Sequence, residues 1–353
     1  MKVLITGGAG FVGSNLAIFL KKKYPNYSII TFDNLKRRGS ELNMLAFKEL
    51  GILFIHGDIR NPEDLEVIPA FDVMIEASAE PSVLAGIDSN PFSVINNNLI
   101  GSIHCFNTAI KNKAKLIFLS TSRVYPIDKI ENANFEETDL RFDFSKNQEE
   151  SGISEYGISE ELNLMTARSF YGSTKLASEL FLNEYNEFYN LESTITRYGV
   201  IAGPRQMGKT DQGIVTLWMA KHYYNQSLKY IGYGGLGKQV RDILHIDDLL
   251  DLVDYQIHNF EKFKSKLYNV GGGIASSLSL LEMTNLCEEI TGNKIQIDKE
   301  PTARPADLRV FITDARKIER ETGWKPKKTT RQIFEDVYNW IYKNEKDLND
   351  ILR

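Results

Sequence analysis

Residues 1–13 read MKVLITGGAGFVG, and this stretch decides the fold. A short apolar run, Val3–Thr6, leads into Gly7, Gly8, Gly10 and Gly13, whose spacing matches both GxxGxxG and GxGxxG. A helix-like segment, Gly13–Lys22, follows. Glycines at this place let the chain turn sharply and let its backbone approach a pyrophosphate, which then rests on the positive end of the helix. Such a motif is weak alone. It gains weight from its strand–turn–helix setting and from Asp33, an acid at the end of the second strand, twenty residues after Gly13. That is where a dinucleotide site needs a carboxylate for the ribose. The expected cofactor contacts are therefore Gly7, Gly10, Phe11, Val12, Gly13, Asp33 and Asn34. Asp33 favours NAD, because a carboxylate repels a 2′-phosphate. Arg37 and Arg38 pull mildly the other way, and the strand-end position of the acid decides for NAD. Asp58 and Ile59, closing the third strand, suit the adenine, although an acid at a strand end is equally common without a ligand.

Outward from this turn, short apolar runs alternate with longer periodic segments. The runs are Val3–Thr6, Ser28–Phe32, Leu53–His56, Val73–Ala77 and Lys115–Leu119, and helices are expected at Gly13–Lys22 and Asn96–Lys111. This alternation implies parallel strands joined by right-handed crossovers, hence an α/β, doubly wound Rossmann sheet. Residues 126–165 break the rhythm; they are polar and acid-rich and read either as a functional lid or as a disordered surface loop. After a strand at Ser193–Tyr198 the pattern fragments around Gly203-Pro204, Gly232–Gly237 and Gly271–Gly273. The expected division is a dinucleotide-binding domain of residues 1–199 plus 241–265, the latter returning to the main sheet. A smaller, discontinuous substrate lobe takes 200–240 plus 266–345.

The chemistry is expected at Tyr171-Gly172-Ser173-Thr174-Lys175. Residues four apart share a helix face. A lysine cation beside a phenol favours the phenolate, so Tyr171 can act as a base and Lys175 can also hold a cofactor ribose. A third member should come from the end of the fourth or fifth strand, where Ser120-Thr121-Ser122 supplies hydroxyls. Thr121 is the choice for orienting the reacting oxygen, with Ser120 and Ser122 as close competitors.

The 353 residues exceed one compact core, so two lobes are expected. With a net charge of -5 and mixed signs, the chain carries no nucleic-acid footprint; Lys36-Arg37-Arg38 is too small to make one. Cys105 and Cys287 stand far apart and outside any metal-ligand spacing, so neither a disulfide nor a metal site is expected. No apolar stretch approaches the roughly 18 residues of a membrane span. No signal peptide is visible, and a reducing, cytoplasmic setting fits. His245 is expected to pack near the lobe boundary.

These segments together resemble the extended short-chain dehydrogenase/reductase family of sugar-nucleotide epimerases and dehydratases. The matching features are GGAGFVG, FDN at 32–34, GDIR at 57–60, Asn97–Ser102, STSRVY at 120–125, YGSTK, RYGVIAGPRQ at 197–206 and Arg304-Pro305-Ala306-Asp307. The resemblance implies a Rossmann lobe with a small substrate lobe, tightly held NAD, a nucleotide-sugar substrate, a role in carbohydrate biosynthesis and a homodimer or homotetramer. Helices near Asn96–Lys111 and Ser173–Tyr189, with Leu176, Leu180, Phe181 and Tyr185, would pair between copies. Arg241 and Arg304 would grip the substrate diphosphate, with Arg309 a weaker candidate. The 4,6-dehydratases carry an acid pair after the catalytic threonine; Ser122 and Arg123 stand there instead, which disfavours elimination. Within the family the likeness is greatest to enzymes that invert C2 of a CDP-hexose. It is carried by residues 209–213, 237–242, 268–273 and 277–282 and by the long insert before Tyr171. The alternatives are a 4-epimerase or other oxidoreductase of a UDP- or dTDP-sugar and, more remotely, an inactive NAD-sensing scaffold. One departure stands out: Glu76-Ala77-Ser78-Ala79 replaces the usual HLA-type end of the fourth strand.

Overall fold

The computed structural model describes residues 1–87, 89–208 and 212–353. The chain begins as strand β1 (Lys2–Thr6), passes the glycine turn into helix α1 (Phe11–Lys23), and continues through β2 (Ser28–Asp33), β3 (Leu53–His56), β4 (Val73–Glu76) and β5 (Lys115–Thr121). β1 and β4 are covered on both faces, which is why Val3–Ile5 and Val73–Ile75 read as unbroken apolar runs and not as alternations. The main sheet has seven strands in the order Leu267–Val270, Ser193–Tyr198, β5, β4, β1, β2, β3. The pairs β1–β2, β2–β3, β1–β4 and β4–β5 are parallel. This is the expected doubly wound α/β sheet. Strand order reverses between β1 and β4, and in such sheets ligands bind outside the carboxyl ends at that point. There Thr6 of β1 stands opposite Glu76 of β4. The helix expected at Asn96–Lys111 is a π-helical turn, Asn96–Ile100, running into an α-helix, Gly101–Asn112.

The chain divides into two compact units. The first comprises Met1–Thr121, Phe170–Arg197 and Leu249–Leu267, and the second Ser122–Ser169, Tyr198–Asp248 and Tyr268–Arg353. Two stretches longer than a couple of residues fall differently from the expected division. Residues 122–169, assigned from sequence to the dinucleotide-binding domain, belong to the second unit. So do 241–248, because Val240–His245 pairs with Val200–Ala202, Ser277–Ser279 and Val310–Phe311 in a sheet of their own and does not return to the main one. The helices Ile214–Tyr223, Leu280–Thr291 and Thr330–Lys343 supply this unit's core, including Trp218, Met219, Met283, Phe334 and Val337. Two of them start at capping boxes, Ser279 with Glu282 and Thr329 with Gln332.

The acid-rich stretch 126–165 is neither structureless nor a plain loop. It forms a helix, Ile127–Glu131, and two hairpins, Phe135–Glu137 with Phe142–Phe144 and Ile153–Ser154 with Gly157–Ile158. Its polar groups are used inside the second unit. Glu137 pairs with Lys238 at 2.7 Å, and Arg141 donates to Ser277 Oγ at 2.7 Å. Glu160 accepts the Asn269 N–H at 2.7 Å.

In the first unit a buried polar cluster fixes the long helix Phe170–Tyr189 to the sheet. Ser120 Oγ donates to Glu179 Oε1 at 2.5 Å, and Arg197 Nη2 meets Glu179 Oε2 at 2.6 Å. Removing one partner of a buried ion pair leaves the other charge uncompensated, which typically costs about 3–5 kcal/mol, whereas replacing both is much milder. Arg197→Met should therefore lower unfolding free energy by about 3–5 kcal/mol in urea titrations. The Glu179→Met/Arg197→Met double variant should recover most of the loss. A single variant within about 1 kcal/mol of the parent would refute the account.

Candidate active site

The glycine turn is shaped by close backbone approach. Gly7 has φ +63°, and a Cβ there would lie 2.7 Å from the Ala77 carbonyl oxygen, beyond β4. A Cβ on Gly13 would lie 2.2 Å from the Gly7 carbonyl oxygen. Gly10 differs: a Cβ there would meet only the Gly7 oxygen, at 3.2 Å, so this residue leaves open space in front of the helix. Gly10 is the N-cap of α1 and no side chain caps it, so Phe11, Val12 and Gly13 begin a helix whose first N–H groups suit an anion. These residues fit a dinucleotide pyrophosphate.

Asp33 closes β2 and is bound to the turn itself. Its Oδ2 accepts the Ala9 N–H at 3.1 Å and its Oδ1 the Leu35 N–H at 2.7 Å. Burial pushes its carboxyl up, and these backbone donors hold it back. Asn43, which sequence reasoning missed, donates to the Ala9 carbonyl at 3.0 Å and secures the same loop; nothing in its helix-forming surroundings marks it in the sequence. Asn34 Nδ2 donates to Asp58 Oδ2 at 2.9 Å. The Arg60 guanidinium clamps the Asp58 carboxylate at 2.6 and 2.9 Å and holds it well below the usual carboxylate range. Ile59 is buried against Gly101, with its carbonyl 2.9 Å from His104 Nδ1. The structure thus joins Asn34 to Asp58 and packs Ile59 against Gly101.

Tyr171 and Lys175 lie on the helix Phe170–Tyr189 and both turn inward, at 9% and 2% exposure. Lys175 Nζ stands 3.9 Å from the centroid of the Phe118 ring and 3.5 Å from Glu76 Oε2. Thr174 Oγ1 donates to the Tyr171 carbonyl at 2.8 Å. Asn98, in the π-helical turn, accepts the Glu80 N–H at 2.7 Å and donates to Thr174 Oγ1 at 3.3 Å, so it ties the segment after β4 to this helix. A π-helical turn often marks a functional place, but sequence periodicity does not reveal it. Ser120 commits its proton to Glu179, which separates it from Thr121, the buried last residue of β5.

The three arginines lie in the second unit. Arg241 Nη2 meets Asp307 Oδ1 at 2.8 Å, and its Nη1 donates to the Val240 carbonyl at 2.7 Å. The Asp307 N–H donates to the Arg304 carbonyl at 3.2 Å, so Arg241 is joined to the turn that carries Arg304. Arg123 Nη1 holds the Ala306 carbonyl of the same turn at 3.2 Å. The Arg309 guanidinium is seated among Phe135, Phe142 and Tyr233, 4.8–5.6 Å from their ring centres. Lys209, Thr210 and Asp211, within a segment that carries the likeness to enzymes inverting C2, lie outside the described residues. His245, Asp247 and Asp336 are grouped closely enough to hold a cation, but the Lys328 ammonium already sits 3.4 and 3.1 Å from the two carboxylates. Among the described residues no helix is long and apolar enough to cross a membrane.

The chain is similar to known proteins over nearly its whole length. Residues 3–271 match the NAD dependent epimerase/dehydratase family. CDP-paratose 2-epimerase of Salmonella typhi is 31% identical over 348 residues, covering 96% of this chain and 99% of that protein. UDP-glucose 4-epimerase of Thermotoga maritima, solved with UDP-glucose, superposes with a TM-score of 0.77 at 25% identity, covering 98% of this chain and all of that one. UDP-glucuronic acid 4-epimerase of Bacillus cereus, solved with UDP-glucuronic acid and NAD, shares the fold at a TM-score of 0.77 and 23% identity, over 97% of this chain and 99% of its own. The chain belongs to the NAD dependent epimerase/dehydratase family, within the extended short-chain dehydrogenase/reductases, and is an NAD-dependent nucleotide-sugar epimerase.

Proposed function

We propose that the chain inverts C2 of a CDP-hexose through a transient 2-keto sugar, with return of the same hydride. The observation that carries this reading is the 31% identity to CDP-paratose 2-epimerase along nearly the full length of both chains. Ser122 and Arg123, in place of an acid pair, argue against water loss. A UDP-sugar 4-epimerase is the second reading, favoured by the solved structures that superpose on this chain.

NAD, when bound, supplies the acceptor and donor of the hydride. The chain's own residues hold the parts and move the proton. Tyr171 takes the proton of the sugar hydroxyl as the carbon is oxidised and gives it back on reduction. Lys175 favours the phenolate form and holds the nicotinamide ribose, and Thr121 orients the sugar oxygen. Gly7, Gly10, Phe11, Val12 and Gly13 cradle the pyrophosphate, Asp33 takes the adenine-side ribose, and Asn34, Asp58 and Ile59 border the adenine. Arg241 and Arg304 hold the substrate diphosphate, their forks matching phosphate oxygens, with Arg309 in a lesser part. Inversion requires the keto sugar to present its other face, so the diphosphate must be held firmly and the ring loosely.

Three outcomes are expected. Tyr171→Phe should lose roughly 10²–10⁴-fold in kcat while retaining NAD, because the phenol moves the proton and the glycine turn does the binding. Kinetics like those of the parent would remove Tyr171 from the reaction. Calorimetric titration of cofactor-stripped protein should show tighter binding of NAD than of NADP, and Asp33→Asn, which keeps an acceptor for the Ala9 N–H, should narrow the ratio. Tighter NADP binding by the parent would show that Arg37 or Arg38 prevails. CDP-paratose deuterated at C2 should give product that keeps its deuterium at C2, read by NMR. Exchange of that deuterium with solvent would point to proton abstraction, and inversion of UDP-glucose at C4 with no change in CDP-paratose would overturn the choice of carbon.

A further inference from the structure

A buried ammonium needs an answering partner, because transfer out of water penalises an isolated charge heavily. Lys175 has two: the face of Phe118, and the carboxyl of Glu76 at 3.5 Å. Glu76 is itself wholly buried at the end of β4. Its Oε1 has no hydrogen-bond partner among the described residues. A carboxyl kept only to brace the fold is saturated, as Glu179 is by Ser120 and Arg197. Glu76 instead offers one oxygen to the lysine and leaves the other unsatisfied.

The groups that face Glu76 from neighbouring elements are few. Thr6 stands opposite it on β1, and the Cys105 thiol, on the helix Gly101–Asn112, is pushed up chiefly by burial and further by the Glu76 charge. β5 contributes the Phe118 ring and the long helix contributes Lys175. Burial pushes the Glu76 carboxyl up, while the Lys175 ammonium and the Ser78 N–H favour its charged form. The resemblance drawn from the sequence implies an HLA-type end for this strand, where this chain has Glu76-Ala77-Ser78-Ala79.

A single positive charge near a phenol stabilises phenolate; a positive charge paired with a negative one does so less. We propose that Glu76 is a positioning residue of the Tyr171–Lys175 pair: its buried carboxylate holds the Lys175 ammonium and cancels part of the positive field that the ammonium casts on the Tyr171 phenol. The inference rests on the reading of Tyr171 as the proton-transferring group, and it makes that phenol more basic than the same pair without Glu76.

The test is a direct titration of the phenol in NAD-loaded protein carrying tyrosine labelled with carbon-13 at Cζ, the Tyr171 signal being identified by its loss in Tyr171→Phe. Glu76→Gln should lower the Tyr171 midpoint, because the Lys175 ammonium then acts on the phenol without a partly cancelling charge. Glu76→Asp should stay near the parent. Should the glutamine variant fail to fold, Glu76→Met, which removes the charge at similar volume, serves instead and should also lower the midpoint. A midpoint unchanged or raised in the variant that folds would overturn the proposal. The readout needs no sugar substrate, so it stands apart from the C2 assignment. A lowered midpoint in a protein that leaves every CDP-hexose untouched supports the role of Glu76 and sinks the reaction, and an immobile midpoint in an active C2-epimerase does the reverse.

Discussion

No atom larger than hydrogen fits on the α-carbon of Gly13, because the Gly7 carbonyl oxygen occupies that place. This contact between the turn and the first helix sets how closely α1 can lie behind β1, and much else in the first unit is arranged around it. The Asp33 carboxylate pins the Ala9 N–H, and Asn43 takes the Ala9 carbonyl. Gly7 brings the same loop against Ala77, just beyond β4. A peptide loop held from three sides keeps its N–H groups aimed without any ligand present, so binding does not have to order it first. Gly10 is the one glycine of the set whose freedom serves the opening and not the packing.

The long helix Phe170–Tyr189 is held by polar groups more than its sequence suggests. Asn98 binds it near one end through Thr174 and Ser178, and Ser120 and Arg197 bind it through Glu179. Lys175 lies within the first anchor and Tyr171 one turn before it. Apolar packing alone tolerates sliding by fractions of an ångström, whereas a saturated hydrogen-bond network has one register. For a group that must move a proton, that register matters more than the stability the network adds.

The strands, the glycine turn and the Tyr171–Lys175 spacing were legible because each rests on a local rule: apolar runs in doubly covered strands, glycine where a Cβ would collide, and a four-residue repeat on one helix face. The segment 126–165 was not legible. The strands of its hairpins are two and three residues long, too short to show a period, and the segment is held by distant partners such as Lys238, Ser277 and Asn269. The placement of 241–248 failed for a related reason: Val240–His245 is buried like a main-sheet strand, and only its pairing partners reveal which sheet it joins. Glu76 was noticed as an odd residue at a strand end, but its meeting with Lys175, ninety-nine residues later, is a property of the fold. Asn43 and Glu179 carried no signal of their own, since a polar residue on a helix is ordinarily read as solvated.

Each compact unit is assembled from three separate lengths of chain. During synthesis, then, the first unit cannot close until residue 267 has emerged, although its glycine turn is among the earliest parts made. At about 5–20 residues per second the turn waits many seconds for its last helix and edge strand. The same interleaving bears on how such chains diversify. Exchanging one unit for a relative's would require several simultaneous crossovers, whereas a change at a single strand end, as at Glu76, needs one codon. Variation in this architecture is therefore steered toward point changes within a conserved path of the chain and away from the shuffling of whole lobes.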